Sequence, residues 1–201
     1  MKSARFLNEC CDRKKLTPRP AEWHGMRLNW LVQGNFMSEK MLKGYLPVSV
    51  SCFVCGKENH AGLALRFYGD DGVISTVWRP ADYHCGYSGV VHGGVAATAL
   101  DECMAWAATW HTRLMCLTGD LAVRYLEPVP SERELLVSAS VRVPGKRLVH
   151  VLGTIADADG VEYATAQGRF VTMTAEQTLD VDDSLLYYGD EVRLFDYLRA
   201  K

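Results

Sequence analysis

Residues that could act together on a carbonyl group occur close together near the middle of the sequence. The segment His92-Gly93-Gly94 precedes a long apolar stretch, and Asp101 follows His92 by nine residues. Amides in the first turn of a helix lack an acceptor within that helix and lie at the positive end of its dipole. They stabilise an oxygen that gains negative charge, while a carboxylate attacks the carbonyl carbon or activates water. An alternative is that the two glycines only allow tight packing.

The spacing between Gly93 and Asp101 places a condition on this chemistry. Two helical turns correspond to about 12 Å along the axis, too far for both groups to reach one small functional group. An antiparallel helix from a second subunit would bring Asp101 of one chain near the Gly93 amide of the other. The sequence therefore predicts a dimer.

The elements that must hold these residues follow from the hydrophobic pattern. A strand at 63–68 and a return strand at 73–78 precede one long helix at 90–112. Four strands follow, at 115–126, 134–143, 148–156 and 162–173, and a short helix is expected at 191–200. Strands that follow one another through turns, with one isolated helix, predict an α+β architecture in which the helix covers one face of an antiparallel sheet.

The predicted helix is apolar and rich in alanine, and its only charged residues between Val90 and Thr109 are Asp101 and Glu102. A carboxylate is costly to bury in such a helix without a partner, so at least one of the two must face a cleft, a substrate or another subunit. We favour Asp101 as the reactive acid, with Glu102 as the alternative.

Composition bounds the class of protein. Net charge is -2 over 201 residues, which gives no general basic field for nucleic acid. The charges are unevenly distributed, with an excess of Lys and Arg in residues 1–47 and of Asp and Glu in residues 174–201. Seven cysteines without a secretory leader and without an apolar run of membrane-spanning length predict a reduced, cytoplasmic protein.

Several motifs together resemble the hotdog-fold thioesterases of the phenylacetate-degradation (PaaI-like) branch. In that family a His-Gly-Gly opens the central helix and an aspartate follows nine residues after the histidine, as in HGGVAATALD here. Three further segments are similar: Cys52-Phe53-Val54-Cys55-Gly56, LTGDLAVRYLEPVP at 117–130, and Ala166-Gln167-Gly168-Arg169. The resemblance covers residues 51–173. It implies a hotdog domain at 48–174, flanked by an N-terminal extension, 1–47, and a C-terminal extension, 175–201.

The resemblance also implies roles for individual residues in acyl-CoA hydrolysis. The amides of Gly93 and Gly94 would hold the thioester oxygen, and Asp101 would be the nucleophile or general base. Thr118 would orient water, and His92 would position the loop or contact the substrate. The turn Gly145-Lys146-Arg147 would lie near the nucleotide of coenzyme A, or it is an ordinary solvated hairpin tip. The implied assembly is a homodimer or a dimer of dimers, with no cofactor beyond the coenzyme A of the substrate.

The chain departs from the family at two positions. Several relatives carry Asn or Gln six or seven residues before the histidine, where this sequence has Gly86 and Cys85. This departure leaves open a second function, an acyl-CoA sensor that binds without hydrolysis. A hotdog dehydratase or hydratase ranks third, because His92 belongs to a glycine turn.

Two sets of residues have competing interpretations. Cys52 and Cys55 are expected to be structural, and no metal site is predicted, although His60, His84 and Cys85 are the candidates that would complete a zinc site. The tryptophans are expected to pack in the core rather than to line an acyl tunnel: Trp23, Trp30, Trp106 and Trp110.

Overall fold

A computed structural model describes residues 42–200, and its central element is helix α1, Gly93–Thr112. Two short helices follow near the C-terminus, α2 (Ala175–Asp182) and α3 (Asp196–Arg199). Short strands precede or flank α1: β1 (Lys43–Tyr45), β2 (Val48–Ser49), β3 (Tyr68–Asp70), β4 (Val73–Trp78), β5 (Cys85–Tyr87) and β6 (Val90–Val91). The strands after α1 are β7 (Cys116–Tyr125), β8 (Leu135–Val143), β9 (Leu148–Ala156), β10 (Glu162–Thr172) and β11 (Leu185–Leu186).

Seven strands form one antiparallel sheet in the order β1-β3-β4-β8-β9-β10-β7. Strand β7 follows α1 directly but pairs with β10, the last long strand, and so it forms one edge of the sheet. The predicted α+β architecture, with an antiparallel sheet around one long helix, is confirmed.

Helix α1 packs on one face of this sheet, and its small residues let it approach closely. Ala96, Ala99, Ala107 and Ala108 are buried together with Leu100 and Met104. At Gly153 in β9, an added Cβ would lie 2.8 Å from the Met104 Sδ atom, closer than side-chain packing allows. The glycine in the strand and the alanines on the helix therefore set the short helix–sheet distance. Trp106 and Trp110 are also buried in this core, as predicted.

The strand before the first hairpin is shorter than predicted. Residues 63–67 are not a strand, although the Leu63 and Leu65 amides donate to the carbonyls of Phe53 and Val54. The pairing starts at Tyr68, and the turn consists of Asp71 and Gly72, both with positive φ. An Asp-Gly pair favours this tight turn because both residues tolerate the left-handed region.

The helix boundaries also differ from the sequence prediction. Val90 and Val91 pair as strand β6 with β5, so the helix begins at Gly93 rather than at Val90. The helix predicted at 191–200 is wrong in extent, because only Asp196–Arg199 is helical. Helix α2 was not predicted; Thr174 caps it by accepting a hydrogen bond from the Gln177 amide.

The segments on either side of the predicted hotdog domain are joined to it. Strand β1 pairs with β3 ahead of residue 48, and β11 pairs with β2. Leu194 and Phe195 from the C-terminal segment are buried in the core. The remaining part of the predicted N-terminal extension, residues 1–41, including Trp23 and Trp30, lies outside the described residues. Within residues 42–200, none of the helices is both long enough and apolar enough to cross a bilayer.

Candidate functional site

Asp101 and Thr118, two of the predicted site residues, contact each other directly. The Thr118 hydroxyl donates a hydrogen bond to Asp101 Oδ1 at 2.9 Å, which joins helix α1 to edge strand β7. Asp101 is half-buried, and this burial raises the pKa of its carboxyl group, while the hydrogen bond from Thr118 partly opposes the rise. A carboxylate with a raised pKa is a stronger base and nucleophile, so the setting suits either role.

The N-terminus of the helix is capped by the histidine ring. His92 Nδ1 accepts a hydrogen bond from the Gly94 amide at 3.0 Å. The Gly94 amide is therefore already engaged, which narrows the predicted pair of amides to Gly93. The Gly93 amide lies in the first turn and has no acceptor within its own helix.

A cleft of about 600 Å³ opens beside Gly93. Its walls come from the β5–β6 hairpin, the start of α1 and the end of β7 with the loop after it: Gly86, Tyr87, Val90, Val91, His92, Gly93, Tyr125, Leu126, Glu127, Pro128 and Val129. Most of this lining is apolar, which suits the acyl part of a ligand. Asp101 is not part of the lining.

Tyr125 is a residue of this cleft that the sequence analysis missed. Its hydroxyl donates a 2.5 Å hydrogen bond to the Gly93 carbonyl, and an added Cβ at Gly93 would lie 3.2 Å from the same hydroxyl. The exposed ring of Tyr87 stands at the rim. The only available signal was the position of Tyr125 at the end of a strand, and periodicity does not show which helix residue such a strand end faces.

The two contacts between α1 and β7 keep the predicted site residues in two separate places. Tyr125 contacts the start of the helix at Gly93, and Thr118 contacts Asp101 two turns later. Along the axis the two points are about 12 Å apart. Within one chain, therefore, Asp101 does not share a small group with the Gly93 amide, which is the geometry from which the sequence analysis inferred a dimer.

The two positions at which the chain departs from the family pattern lie on the strand next to the segment that leads into His92. Cys85 and Gly86 belong to β5, and Cys85 pairs with Val91. An added Cβ at Gly86 would lie 3.2 Å from Cδ2 of the His92 ring. The glycine thus allows the histidine ring to pack on the strand where several relatives place an amide side chain.

Glu102 faces a different element from Asp101. Its carboxylate lies 3.9 Å from the Cys52 sulfur and forms a group with Cys52 and Cys55. In this group the two sulfur atoms and one carboxylate oxygen all lie within 4.8 Å of one another. Burial, followed by the charge of Cys52, raises the pKa of Glu102 to about 7. The structure thus groups Cys52 and Cys55 with Glu102 and not with the sequence candidates His60, His84 and Cys85.

The turn expected to bind the nucleotide lies at the Asp101 end of β7. Gly145, Lys146 and Arg147 connect β8 to β9, and the side chains of Lys146 and Arg147 are exposed. The Thr172 amide and hydroxyl donate to the carbonyls of Arg147 and Lys146. Because Thr172 pairs with Cys116, two residues before Thr118, the basic turn and the Asp101–Thr118 contact are at the same end of the sheet.

One family model matches the central part of this chain. Residues 88–164 match the family model of the thioesterase superfamily, a range that contains the glycine turn, all of helix α1, β7, β8 and β9. No curated protein matches the chain significantly in sequence.

Solved structures similar to this chain share its fold. A thioesterase superfamily protein is 24% identical and aligns over 84% of this chain and 91% of its own, with a TM-score of 0.59. The E. coli PaaI protein from the phenylacetic acid degradation operon is 18% identical over 56% of this chain and 81% of its own, with a TM-score of 0.52. A phenylacetic acid degradation-related protein of Ralstonia eutropha JMP134 is 23% identical over 55% of this chain and 86% of its own, with a TM-score of 0.50.

These likenesses confirm two predictions from the sequence. The described residues adopt the hotdog fold, an antiparallel sheet wrapped around a central helix. The resemblance to hotdog-fold thioesterases is confirmed by the match of residues 88–164 to the thioesterase superfamily model, and the PaaI and phenylacetic acid degradation-related structures share the fold.

Proposed function

We propose that this protein hydrolyses the thioester of an acyl-coenzyme A to a carboxylic acid and coenzyme A. The observation that carries the proposal is the hydrogen bond from Thr118 to Asp101 on the central helix, two turns from an amide without an intrahelical acceptor. Hydrolysis of this kind needs no cofactor other than the coenzyme A that is part of the substrate.

In the proposed reaction, the thioester oxygen accepts a hydrogen bond from the Gly93 amide at the positive end of the helix. Asp101 either takes a proton from water, whose oxygen then attacks the carbonyl carbon, or attacks that carbon itself. The carbon–sulfur bond breaks and coenzyme A leaves as the thiol after protonation. In the second route, water hydrolyses the acyl-Asp101 anhydride and restores the carboxylate.

The Gly93 amide and the Asp101 carboxylate come together only in a symmetric pair of chains. Strand β7 is a suitable surface for such a pair. It is an edge strand of the sheet, and it carries both contacts to α1. A two-fold axis beside β7 would place Asp101 and Thr118 of one copy opposite Gly93 and Tyr125 of the other. Each copy would then contribute half of each of two identical sites, as a homodimer or as a dimer of dimers.

The basic turn fits the nucleotide end of the substrate. Lys146 and Arg147 are exposed and lie at the Asp101 end of β7, so phosphates of coenzyme A could reach them from a thioester held at Asp101. The mostly apolar cleft beside Gly93 would hold the acyl group.

We also propose a cytoplasmic location, since the five cysteines described are all free. Cell fractionation tests this location, and recovery of the protein in a secreted fraction would reject it.

The test is release of free thiol from phenylacetyl-, benzoyl-, butyryl-, hexanoyl- and palmitoyl-CoA. The wild type is compared with Asp101→Asn, which keeps the size and shape of the side chain but removes its basicity. Asp180→Asn on helix α2 is the matched control, because Asp180 is an exposed helical carboxylate. Circular dichroism shows whether each variant folds, and light scattering gives the oligomeric state.

Hydrolysis by the wild type and by Asp180→Asn, with loss in a folded Asp101→Asn variant, is the expected result. Binding of acyl-CoA in calorimetry without thiol release from any of the five substrates would reject hydrolysis and favour the acyl-CoA sensor. Gly86 and Cys85, which stand where relatives have an amide, are the observation behind that alternative. A wild type that is active as a monomer would reject the shared site.

A further inference from the structure

The loop at Cys52–Gly56 brings two thiols against the side of helix α1 that does not face β7. Cys52 is half-buried, Cys55 is buried, and Glu102 approaches them from the helix. The two sulfur atoms and one carboxylate oxygen lie within 4.8 Å of one another, and the distance from Cys52 Sγ to Glu102 Oε1 is 3.9 Å. Neither the proposed hydrolysis nor the cleft beside Gly93 uses these three side chains.

Backbone amides donate hydrogen bonds to both sulfurs of the loop. The Val54 amide donates to Cys52 Sγ at 3.3 Å, and the Ser49 amide donates to Cys55 Sγ at 3.4 Å. The loop is closed by the Gly56 amide, which donates to the Cys52 carbonyl at 2.9 Å. Amides that donate to a sulfur favour its thiolate form, the form that binds metals. Each cysteine therefore has a hydrogen bond that a metal-bound thiolate would keep.

Gly56 is required by the geometry of this loop. An added Cβ at Gly56 would lie 2.3 Å from the Cys52 carbonyl oxygen and 2.6 Å from the Cys52 nitrogen. Both contacts are with backbone atoms, which cannot move aside without opening the turn. The Cys-x-x-Cys-Gly sequence thus folds into a turn that holds both sulfurs on one side.

The three acidic groups have no positive partner in residues 42–200. Glu102 forms no salt bridge with a described lysine, arginine or histidine, and its hydrogen bond with a protein sulfur joins two groups that both become anionic. Without a cation, burial favours the protonated forms of such groups. A divalent cation between them would displace protons and be held by the deprotonated side chains.

We propose that Cys52, Cys55 and Glu102 bind one zinc ion. In a tetrahedral site with Zn–S near 2.3 Å and Zn–O near 2.0 Å, a sulfur and an oxygen ligand are about 3.5 Å apart. The observed 3.9 Å needs only a small inward movement. Two thiolates select zinc over the hard cations magnesium and calcium, and water or a further group completes four-coordination at the half-exposed Cys52 side.

The zinc site would attach the Cys52–Gly56 loop to helix α1 at Glu102, the residue after Asp101. Its role is structural, since the metal would lie on the side of the helix away from the Asp101–Thr118 contact. Zinc binding by the loop and Glu102 does not depend on thioesterase activity. Zinc binding is therefore measured directly and not through turnover.

The experiment uses the full-length protein, reduced and freed of metal by a chelator, and titrated with zinc and with cobalt as a spectroscopic probe. Cobalt–thiolate charge transfer reports sulfur ligands without any mutation. The variants are Cys52→Ser, Cys55→Ser and Glu102→Gln. Cys116→Ser is the matched control, because Cys116 is a half-buried free cysteine outside the cluster. Cys10→Ser/Cys11→Ser tests the adjacent thiols that lie outside the described residues.

We expect one zinc per chain, a charge-transfer band for two thiolates, and an affinity that falls by more than about a hundredfold in Cys52→Ser, because even second-shell changes cost about 10–100-fold. Cys116→Ser and Cys10→Ser/Cys11→Ser keep the wild-type affinity. The proposal is overturned if the reduced wild type gives no cobalt–thiolate band, or if the band survives Cys52→Ser and is lost in Cys10→Ser/Cys11→Ser. It is also overturned if Cys52 and Cys55 form a disulfide that thiol reductants leave intact.

Discussion

Asp101 and Glu102 are adjacent in the sequence but face two different parts of the molecule. Asp101 faces edge strand β7 and accepts one hydrogen bond, from Thr118. Glu102 faces the Cys52–Gly56 loop and two thiols. Burial raises the pKa of both carboxyl groups. Because consecutive helical residues differ by about 100° in direction, the elements packed on each side of the helix decide what each acid can do.

Asp157 is a third carboxylate for comparison, and its negative charge is fully compensated by hydrogen-bond and salt-bridge partners. Asp157 accepts hydrogen bonds from the amides of Asp159 and Val161 and from the Tyr163 hydroxyl, and it pairs with Arg133 at 2.8 Å. These partners hold the pKa of Asp157 below its usual value. Asp101 and Glu102 have few such partners, which is typical of groups that serve a substrate or an ion.

The largest expected effect separates the two sides of the helix. Asp101→Asn should lower kcat by about 10²–10⁴-fold, the usual contribution of a positioned acid or base. The same variant should bind zinc with the stoichiometry of the wild type, because Asp101 faces away from the cysteines. Thiol release and metal analysis on one preparation measure both. Loss of zinc in this variant would contradict the separation.

The Asp157 carboxylate should affect the stability of the fold and should affect neither the Asp101 site nor the proposed zinc site. Asp157→Asn should lower the free energy of unfolding by about 2 kcal/mol near neutral pH, the typical loss for hydrogen bonds to a charged group. Because the pKa of Asp157 is lowered on folding, its contribution is present above the unfolded value near 4 and is lost as the pH falls through the folded value. The difference from the wild type in urea unfolding should therefore shrink below about pH 4.

The control for this prediction is Asp180→Asn, which removes an exposed carboxylate and should leave unfolding within about 0.5 kcal/mol of the wild type. A difference between wild type and Asp157→Asn that is as large at pH 3 as at pH 7 would show that the Asp157 carboxylate is not stabilised by its charge.

The hydroxyl that contacts Asp101 should have a smaller effect on catalysis. Thr118→Val keeps the shape of the side chain, removes the hydrogen bond and should lower kcat by about tenfold, equivalent to about 1.4 kcal/mol. Thr165→Val in β10 is the control, since it changes a half-buried threonine elsewhere in the sheet. Equal kcat values in the two variants would remove Thr118 from the proposed site.

The smallest effect is expected at the basic turn. Lys146→Ala and Arg147→Ala should each raise KM for acyl-CoA by about two- to fivefold at low salt, because exposed charge pairs contribute less than about 1 kcal/mol. The increase should disappear at high salt, where these charges are screened. Lys57→Ala removes an exposed lysine just after the Cys52–Gly56 loop and is the charge-matched control. A KM that is insensitive to salt in all variants would place the nucleotide elsewhere.

Much of the fold was predictable because local signals agree with tertiary structure in this chain. The long apolar helix with its alanines, the β8–β9 hairpin and the strand at 148–156 were predicted closely, since periodicity and turn residues are strong there. The helix at 191–200 was mostly wrong, because Leu194 and Phe195 enter the core as an irregular segment. Burial of two apolar side chains outweighed the weak local helical preference.

The candidate site also has a part that the sequence predicts and a part that it does not. The sequence by itself determined Asp101, the glycine turn and the distance between them, because helical spacing is fixed by backbone geometry. Only the tertiary structure decided that Gly94 is engaged by His92, that Tyr125 reaches Gly93, and that Glu102 meets two cysteines. The first contact depends on the rotamer of the His92 side chain, and the other two join residues that are distant in the chain. Neither composition nor periodicity shows which surfaces meet when the helix packs on the sheet.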